Sequence, residues 1–320
     1  MLIKLGITCV IKMLWLVKDP LYGSLRIRPF LQKGFRILSI EHKVFPDGEE
    51  YIRFLDEIRE GDIYVIVLRG FPEQNNNILR GALIVDTLRD LGAEKVILVW
   101  PYIPYARQDR RFMPGEAISI ITLTKVFISL GIDYLITVDV HNEKAFVQFE
   151  NKVFNVTTEG LWAKYILKNF NPEKIALVAP DKGRESFVRR ISQITGARYF
   201  VFEKHRDLTT GRISGHRPIN EGLIKDVINY VDYVIIIDDI IATGGTLANV
   251  ASWFRKKGFG GEIIVCGTHG LFLGNAVDKL LMSGVDKIVT TDTVANPFIC
   301  EELSVATLIV NKILSLVGEV

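Results

Sequence analysis

Two α/β domains, each a mainly parallel sheet flanked by helices, are the fold this chain predicts. Three observations predict it. Short runs of β-branched residues recur along most of the sequence, amphipathic stretches of helical period separate them, and 320 residues suffice for two cores of this kind. A hydrophobic share of 48% beside 24% charged residues fits a globular chain with generous cores.

The strand-like runs lie at residues 13–17, 63–68, 95–100, 134–138, 175–179, 233–237, 262–267 and 287–291. They read as buried parallel strands because both faces are apolar rather than alternating with polar residues. Between them, residues 78–91, 118–130, 160–168, 184–195 and 247–257 carry the helical period. The alternation restarts after about residue 158, which predicts an N-terminal domain over 1–155 and a C-terminal domain over 156–320. Residues 1–17 are mostly apolar but carry Lys4 and Lys12, lack the cleavage site of a signal peptide, and fall short of a membrane span. The expectation is that the fold starts at Met13, with residues 1–12 an extension or a misplaced start.

A net charge of +2, with Lys and Arg spread along the chain, argues against a nucleic-acid partner. No membrane association is expected. Cys9, Cys266 and Cys300 show neither paired nor metal-type spacing, so a reduced, cytoplasmic setting is expected.

The chemistry gathers where strands end. The run Val234-Ile-Ile-Ile reaches Asp238 and Asp239, then Thr243-Gly244-Gly245-Thr246 opens a helix. Adjacent carboxylates at a strand's carboxyl end can accept hydrogen bonds from vicinal sugar hydroxyls. Two glycines let backbone N–H groups close on a phosphate, aided by the partial positive charge of the helix N-terminus. The threonines add hydroxyl donors, so the expected ligand is a ribose 5-phosphate unit. An ordinary βα turn with helix-capping acids is the competing reading.

Other strand ends carry further charge. Arg107, Gln108, Asp109, Arg110 and Arg111 follow the strand ending at Trp100, behind a rigid Pro101-Tyr-Ile-Pro-Tyr lead-in. Arginine forks suit a polyphosphate, although a solvated basic loop has the same composition. Asp139 and His141 follow the next strand and serve either as ligands of a divalent ion or as structural groups. Pro180-Asp181-Lys182-Gly183-Arg184-Glu185 places acid, glycine and base at a βα turn, suited to a metal-bound pyrophosphate or to helix capping. Lys204 and Arg206 precede a Thr/Gly/Ser-rich stretch that reads as a mobile loop able to close on a reacting phosphate. Val44-Phe45-Pro46-Asp47-Gly48-Glu49 reads as a turn, with Phe45 free to stack on a base.

In this order, Phe-Pro-Asp-Gly-Glu, Pro-Tyr-x-Pro-Tyr-Ala-Arg-Gln-Asp-Arg, Thr-Val-Asp-x-His, Pro-Asp-Lys-Gly, the Lys-x-Arg loop and the Asp-Asp…Thr-Gly-Gly-Thr loop resemble phosphoribosyl-pyrophosphate (PRPP) synthetases. The resemblance spans about residues 44–297, includes Cys266-Gly-Thr-His269-Gly270, and is closer to archaeal-type members. It implies two similar type I phosphoribosyltransferase-like domains. It also implies transfer of the β,γ-diphosphoryl group of ATP to the C1 hydroxyl of ribose 5-phosphate, with Mg²⁺, giving PRPP and AMP. By the same resemblance, Phe45, Asp47 and Glu49 hold adenine near a subunit interface of a homo-oligomer, and Arg107, Gln108 and Asp109 contact ATP. His141 and Asp181 place Mg²⁺, and Lys204 and Arg206 neutralise the transferred group. Asp238, Asp239, Thr243, Gly244, Gly245 and Thr246 bind ribose 5-phosphate.

The chain departs from the family's usual pattern in two places. Ala242 stands where many members have Asp, which removes one sugar contact or hands it to water. Lys-Gly-Arg-Glu follows Asp181 in place of His-Gly-Gly. A type I phosphoribosyltransferase and a non-catalytic regulatory homologue are the alternatives. The first has no need of the Arg107–Arg111 segment, and the second predicts decay at positions that are intact here.

Overall fold

The computed structural model describes residues 12–19, 25–206, 213–219, 221–296 and 301–318, and leaves out the side chains of 204–206, 213–215, 223 and 225–227. The chain falls into two compact units. The first takes the residues up to Thr137, Asn142–Val156 and the residues from Ala306 on; the second takes Val138–His141 and Thr157–Val305. The crossing after Val156 lies beside the expected boundary. A single cut, however, does not express the return of the last helix to the first unit, or the four-residue excursion at Val138–His141.

In the first unit, a six-stranded sheet runs β2 (Arg36–Leu38), β1 (Leu14–Lys18), β5 (Ile63–Val67), β6 (Lys95–Trp100), β7 (Tyr134–Val138), β8 (Val153–Val156). The pairs from β2 through β7 are parallel. Helices α1 (Arg28–Leu31), α2 (Gln74–Asp90), α3 (Ser119–Ser129) and α9 (Ala306–Val317) belong to this unit. Trp100 from β6 meets Phe127 from α3 edge-on at 5.3 Å. Gly81 sits inside α2, where glycine ordinarily costs about 1 kcal/mol against alanine. Here a Cβ would stand 2.3 Å from Leu68 Cδ1 and 3.3 Å from Phe127, so only glycine lets the helix pack this closely.

Outside that sheet, β3 (Ile40–Val44) and β4 (Glu50–Phe54) form an antiparallel hairpin whose tip is the expected turn at residues 45–49. Buried Arg80 of α2 anchors its turn end, with Nη2 2.7 Å from Glu50 Oε1.

The second unit holds a seven-stranded sheet in the order β11 (Ile213–Pro218), β10 (Arg198–Arg206), β9 (Ile175–Ala179), β12 (Tyr233–Ile241), β13 (Glu262–Gly270), β14 (Lys287–Thr291), β15 (Glu301–Leu303). Only β10–β11 is antiparallel. Both faces are covered, as the continuous apolar runs require. Val234 and Ile236 pack with α7 (Gly245–Lys256) and α8 (Ala276–Met282). Ile235 and Ile237 pack with α4 (Glu159–Asn169) and α5 (Glu185–Thr195) on the other face. Each such side chain contributes about 1.5–3 kcal/mol on burial. A further helix, α6 (Glu221–Ile228), precedes β12.

Strand β9 leads to β10 on one side, while β12 lies on its other side. The strand order therefore reverses between β9 and β12, and in open α/β sheets the ligand crevice lies outside the carboxyl ends at such a point.

Candidate active site

At those strand ends of the second unit lie the acid pair, the Thr-Gly-Gly-Thr loop, the Asp181 turn and His141. Strand β12 continues through the acid pair to Ile241, with Asp238 opposite Gly267 and Ile240 opposite His269 on β13. Asp239 is the better buried of the pair, at 6% side-chain exposure against 18% for Asp238. Asp239 Oδ2 accepts from His141 Nδ1 at 2.8 Å and lies 2.8 Å from Arg184 Nη2, while Oδ1 accepts from the Ile240 N–H at 2.9 Å. Asp238 Oδ1 accepts from the Asp239 N–H at 2.9 Å and lies 4.0 Å from Arg184 Nε.

These surroundings drive the two pKa values apart. Burial opposes the charge on Asp239, but the His141 hydrogen bond and the Arg184 guanidinium outweigh it and hold this carboxyl well below the usual range. Burial, and then the charge of Asp239, push Asp238 well above it.

Loop and helix follow. Gly244 is the N-cap of α7, with φ +69°, and no side chain caps the helix there. The first N–H groups of α7 have no intrahelical partner, which is what a phosphate needs. Thr243 is exposed, and its carbonyl accepts from Lys279 Nζ at 3.0 Å, so α8 steadies the loop.

At the end of β9, Asp181 caps the turn Lys182–Arg184, its Oδ1 accepting from the Arg184 N–H at 3.3 Å. Exposed Lys182 pairs with Glu203 at 2.7 Å.

Residues Val138–His141 reach this unit held by two buried groups. Asp139, with φ +38°, is a non-glycine residue in the left-handed region, a conformation costing about 1–3 kcal/mol. Its carboxylate accepts from the Thr158 N–H at 3.0 Å, from the Thr158 hydroxyl, and from the Thr268 hydroxyl at 2.6 Å. Burial raises its pKa to about 6. His269 Nε2 lies 3.0 Å from the Val138 carbonyl. Asp239 accepting from Nδ1–H fixes the His141 ring from one side, the arrangement in which a carboxylate orients a metal-binding imidazole, and leaves Nε2 outside that contact.

The first unit carries the expected nucleotide groups. At the hairpin tip the Phe45 N–H donates to the Glu49 carbonyl at 2.8 Å, and the Glu49 N–H donates to Asp47 Oδ1 at 3.2 Å. Phe45 is 42% exposed and meets Tyr51 edge-on at 5.8 Å. In the loop after β6, Gln108 Nε2 donates to the Arg110 carbonyl at 3.2 Å and to Glu116 at 3.3 Å, and Asp109 accepts from Asn142 Nδ2 at 2.6 Å. Arg107 is exposed. The backbone of Lys204 and Arg206 lies in β10, but their side chains, and residues 207–212 of the expected loop, lie outside the described residues.

No feature of the sequence announces the contact of Arg184 with Asp239. Arg184 stands inside a recognised turn, but nothing in its spacing aims it at an acid 55 positions away.

The N-terminal domain of ribose phosphate pyrophosphokinase matches residues 26–131, and the phosphoribosyl transferase domain matches residues 156–299. A ribose-phosphate pyrophosphokinase of Methanopyrus kandleri is 35% identical over 282 residues, covering 88% of this chain and 92% of that protein. One from Sulfurisphaera tokodaii is 38% identical over 259 residues, covering 81% and 85%. The chain belongs to the ribose-phosphate pyrophosphokinase family. Phosphoribosylpyrophosphate synthetase from Mycobacterium smegmatis shares the fold, with a TM-score of 0.82 at 23% identity over 96% of this chain and 99% of that one. The matched phosphoribosyl transferase domain contains the acid pair, the Thr-Gly-Gly-Thr loop and the Asp181 turn, while Asp139 and His141 lie before it in the chain.

Proposed function

We infer that the chain is an active ribose-phosphate pyrophosphokinase. The C1 hydroxyl oxygen of ribose 5-phosphate attacks the β-phosphorus of ATP, the bond between the α,β-bridging oxygen and the β-phosphorus breaks, and AMP leaves while the hydroxyl proton is lost. The observation that carries this reading is the meeting of acid pair, Thr-Gly-Gly-Thr loop and Asp181 turn at the point where the strand order reverses.

Each group has work suited to its chemistry. The N–H groups around Gly244, Gly245 and Thr246, with the Thr243 hydroxyl, suit the 5-phosphate. The strand end that carries the acid pair suits the sugar hydroxyls. Phe45, Asp47 and Glu49 are assigned to adenine, and Arg107, Gln108 and Asp109 to the ATP phosphates. Lys204 and Arg206 are assigned to the charge on the transferred diphosphoryl group, since such transfers depend on positioning and charge stabilisation.

Among the described residues no cluster of three or more His, Cys, Asp or Glu side chains gathers to hold a metal. One imidazole and one carboxylate, His141 and Asp181, nevertheless fit Mg²⁺, which takes one or two protein ligands and completes its shell with phosphates and water. When bound, the ion would neutralise charge on the diphosphate. The Arg184 guanidinium and the oriented imidazole are the chain's own contribution beside it.

The exposed aromatic tip of the hairpin supports a homo-oligomer in which adenine is held near a subunit interface. No helix among the described residues is long and apolar enough to cross a membrane, and the buried free thiol of Cys266 accords with a cytoplasmic setting.

The test is nucleotide analysis with ATP, Mg²⁺ and ribose 5-phosphate. AMP formed in step with PRPP, and only with the sugar phosphate present, is the expected result. ADP would identify an ordinary kinase. No turnover with retained ribose 5-phosphate or PRPP binding would return the weight to a phosphoribosyltransferase or a regulatory subunit.

A further inference from the structure

Arg184 joins three segments at the crevice. Its side chain is 12% exposed, with Nη2 2.8 Å from Asp239 Oδ2 and 3.4 Å from the His141 carbonyl oxygen. Asp239 Oδ2 therefore meets two donors, His141 Nδ1 and Arg184 Nη2, and Oδ1 takes the Ile240 N–H. Two hydrogen bonds and one close ion pair thus surround a carboxylate that offers about four lone-pair sites, with the imidazole and the guanidinium on the same oxygen. Asp238 is less enclosed and lies beyond hydrogen-bond reach of the guanidinium, at 4.0 Å.

We propose that Arg184 and Asp239 form a positioning pair that holds His141, and that Asp238 alone of the two acids reads the sugar hydroxyls. This rests on the ribose 5-phosphate reading of the crevice. Arginine suits the task because its planar guanidinium sets one nitrogen, Nη2, between the Asp239 carboxylate and the His141 carbonyl. Lysine would bring the charge without that geometry. The adjacent acids thereby divide their work: one fixes the imidazole, the other faces the ligand.

The test measures ribose 5-phosphate binding by calorimetry without nucleotide or metal, and separately kcat and the Mg²⁺ concentration giving half-maximal rate. Asp238→Asn is expected to weaken ribose 5-phosphate by about tenfold or more, the scale of losing the hydrogen bonds a carboxyl group makes to sugar hydroxyls. Arg184→Ala and Asp239→Asn are expected to stay within about threefold of the unaltered chain in that binding. Their kcat should fall at least about tenfold, with a raised Mg²⁺ requirement, because a positioning contact acts through His141. Arg184→Lys should recover only part of the loss. If Arg184→Ala does not fold, shown by its melting curve, Asp239→Asn and Arg184→Lys make the same comparison. Loss of sugar-phosphate binding in the Arg184 or Asp239 variants equal to that in Asp238→Asn overturns the proposal, as does unchanged kcat and Mg²⁺ dependence in both. An unaltered chain that binds ribose 5-phosphate but forms no AMP would sink the reaction instead, while the binding comparison would still decide this division of labour.

Discussion

At the scale of single residues, His269 shows how burial sets a charge state. Its ring is 2% exposed, with Nε2 3.0 Å from the Val138 carbonyl and Nδ1 2.9 Å from the Thr293 hydroxyl. A neutral ring meets both by donating from Nε2 and accepting at Nδ1. Burial pushes its pKa down to about 4, so between that value and the ordinary 6.5 the unfolded chain binds a proton that the folded chain refuses. This contribution to stability is therefore present above about pH 6.5 and lost as pH falls towards 4. It amounts to on the order of 3 kcal/mol. The clean measurement is a difference, because Asp139 and Asp238, both raised by burial, bend the profile of the whole chain the other way. The stability of the unaltered chain minus that of His269→Gln, from urea unfolding, should grow by about that amount between pH 4 and 7. A flat difference would mean that the ring is charged or solvated in the fold.

Among the elements, the Thr-Gly-Gly-Thr loop separates two glycines that look alike in the sequence. Gly244 has φ +69°, and a Cβ there would stand 3.2 Å from Leu280 Cγ and 3.3 Å from the Ala276 carbonyl. Gly245 is the first residue of α7, and its nearest neighbour to a Cβ is Thr243 Oγ1 at 4.0 Å. Gly244→Ala should cost about 1–2 kcal/mol in unfolding free energy, from the left-handed backbone alone. Gly245→Ala should cost little and still weaken ribose 5-phosphate, since in the proposed site its methyl would occupy the space the phosphate approaches. Equal melting temperatures for the two variants would contradict this account. Which strands form was legible: β6, β7, β9 and β14 occupy the residues whose apolar runs announced them, because turn residues bound each run. The extent of β12 was not. An apolar run stops at the first acid, whereas pairing to β13 carries the strand to Ile241. The hairpin β3–β4 announced only its turn, since its strands carry polar residues on both faces. The site's acids, glycines and His141 were legible as types at strand ends. Their partnership was not, because the bond from His141 to Asp239 spans 98 positions and sequence spacing carries no direction over that distance.

On the scale of the whole molecule, the last helix belongs with the first unit although it follows the second in sequence. Its buried residues are Ala306, Ile309, Val310 and Ile313, and it packs against α1 and β8. Three branched side chains at about 1.5–3 kcal/mol each put its hydrophobic contribution on the order of 5 kcal/mol, a figure comparable to the whole stability of many domains. Such a helix acts as a late closure: the first unit's sheet is synthesised early, but one of its packing partners arrives only when the chain is nearly complete. A chain ending after Val305 should therefore lose stability selectively. Hydrogen exchange in β8 and α1 is expected to rise by orders of magnitude, while β9 and β12, whose cores lie wholly within the second unit, keep their protection. Comparable loss of protection in β12 would show that the two units unfold as one, and unchanged exchange in β8 would show that the helix contributes nothing to the sheet it covers.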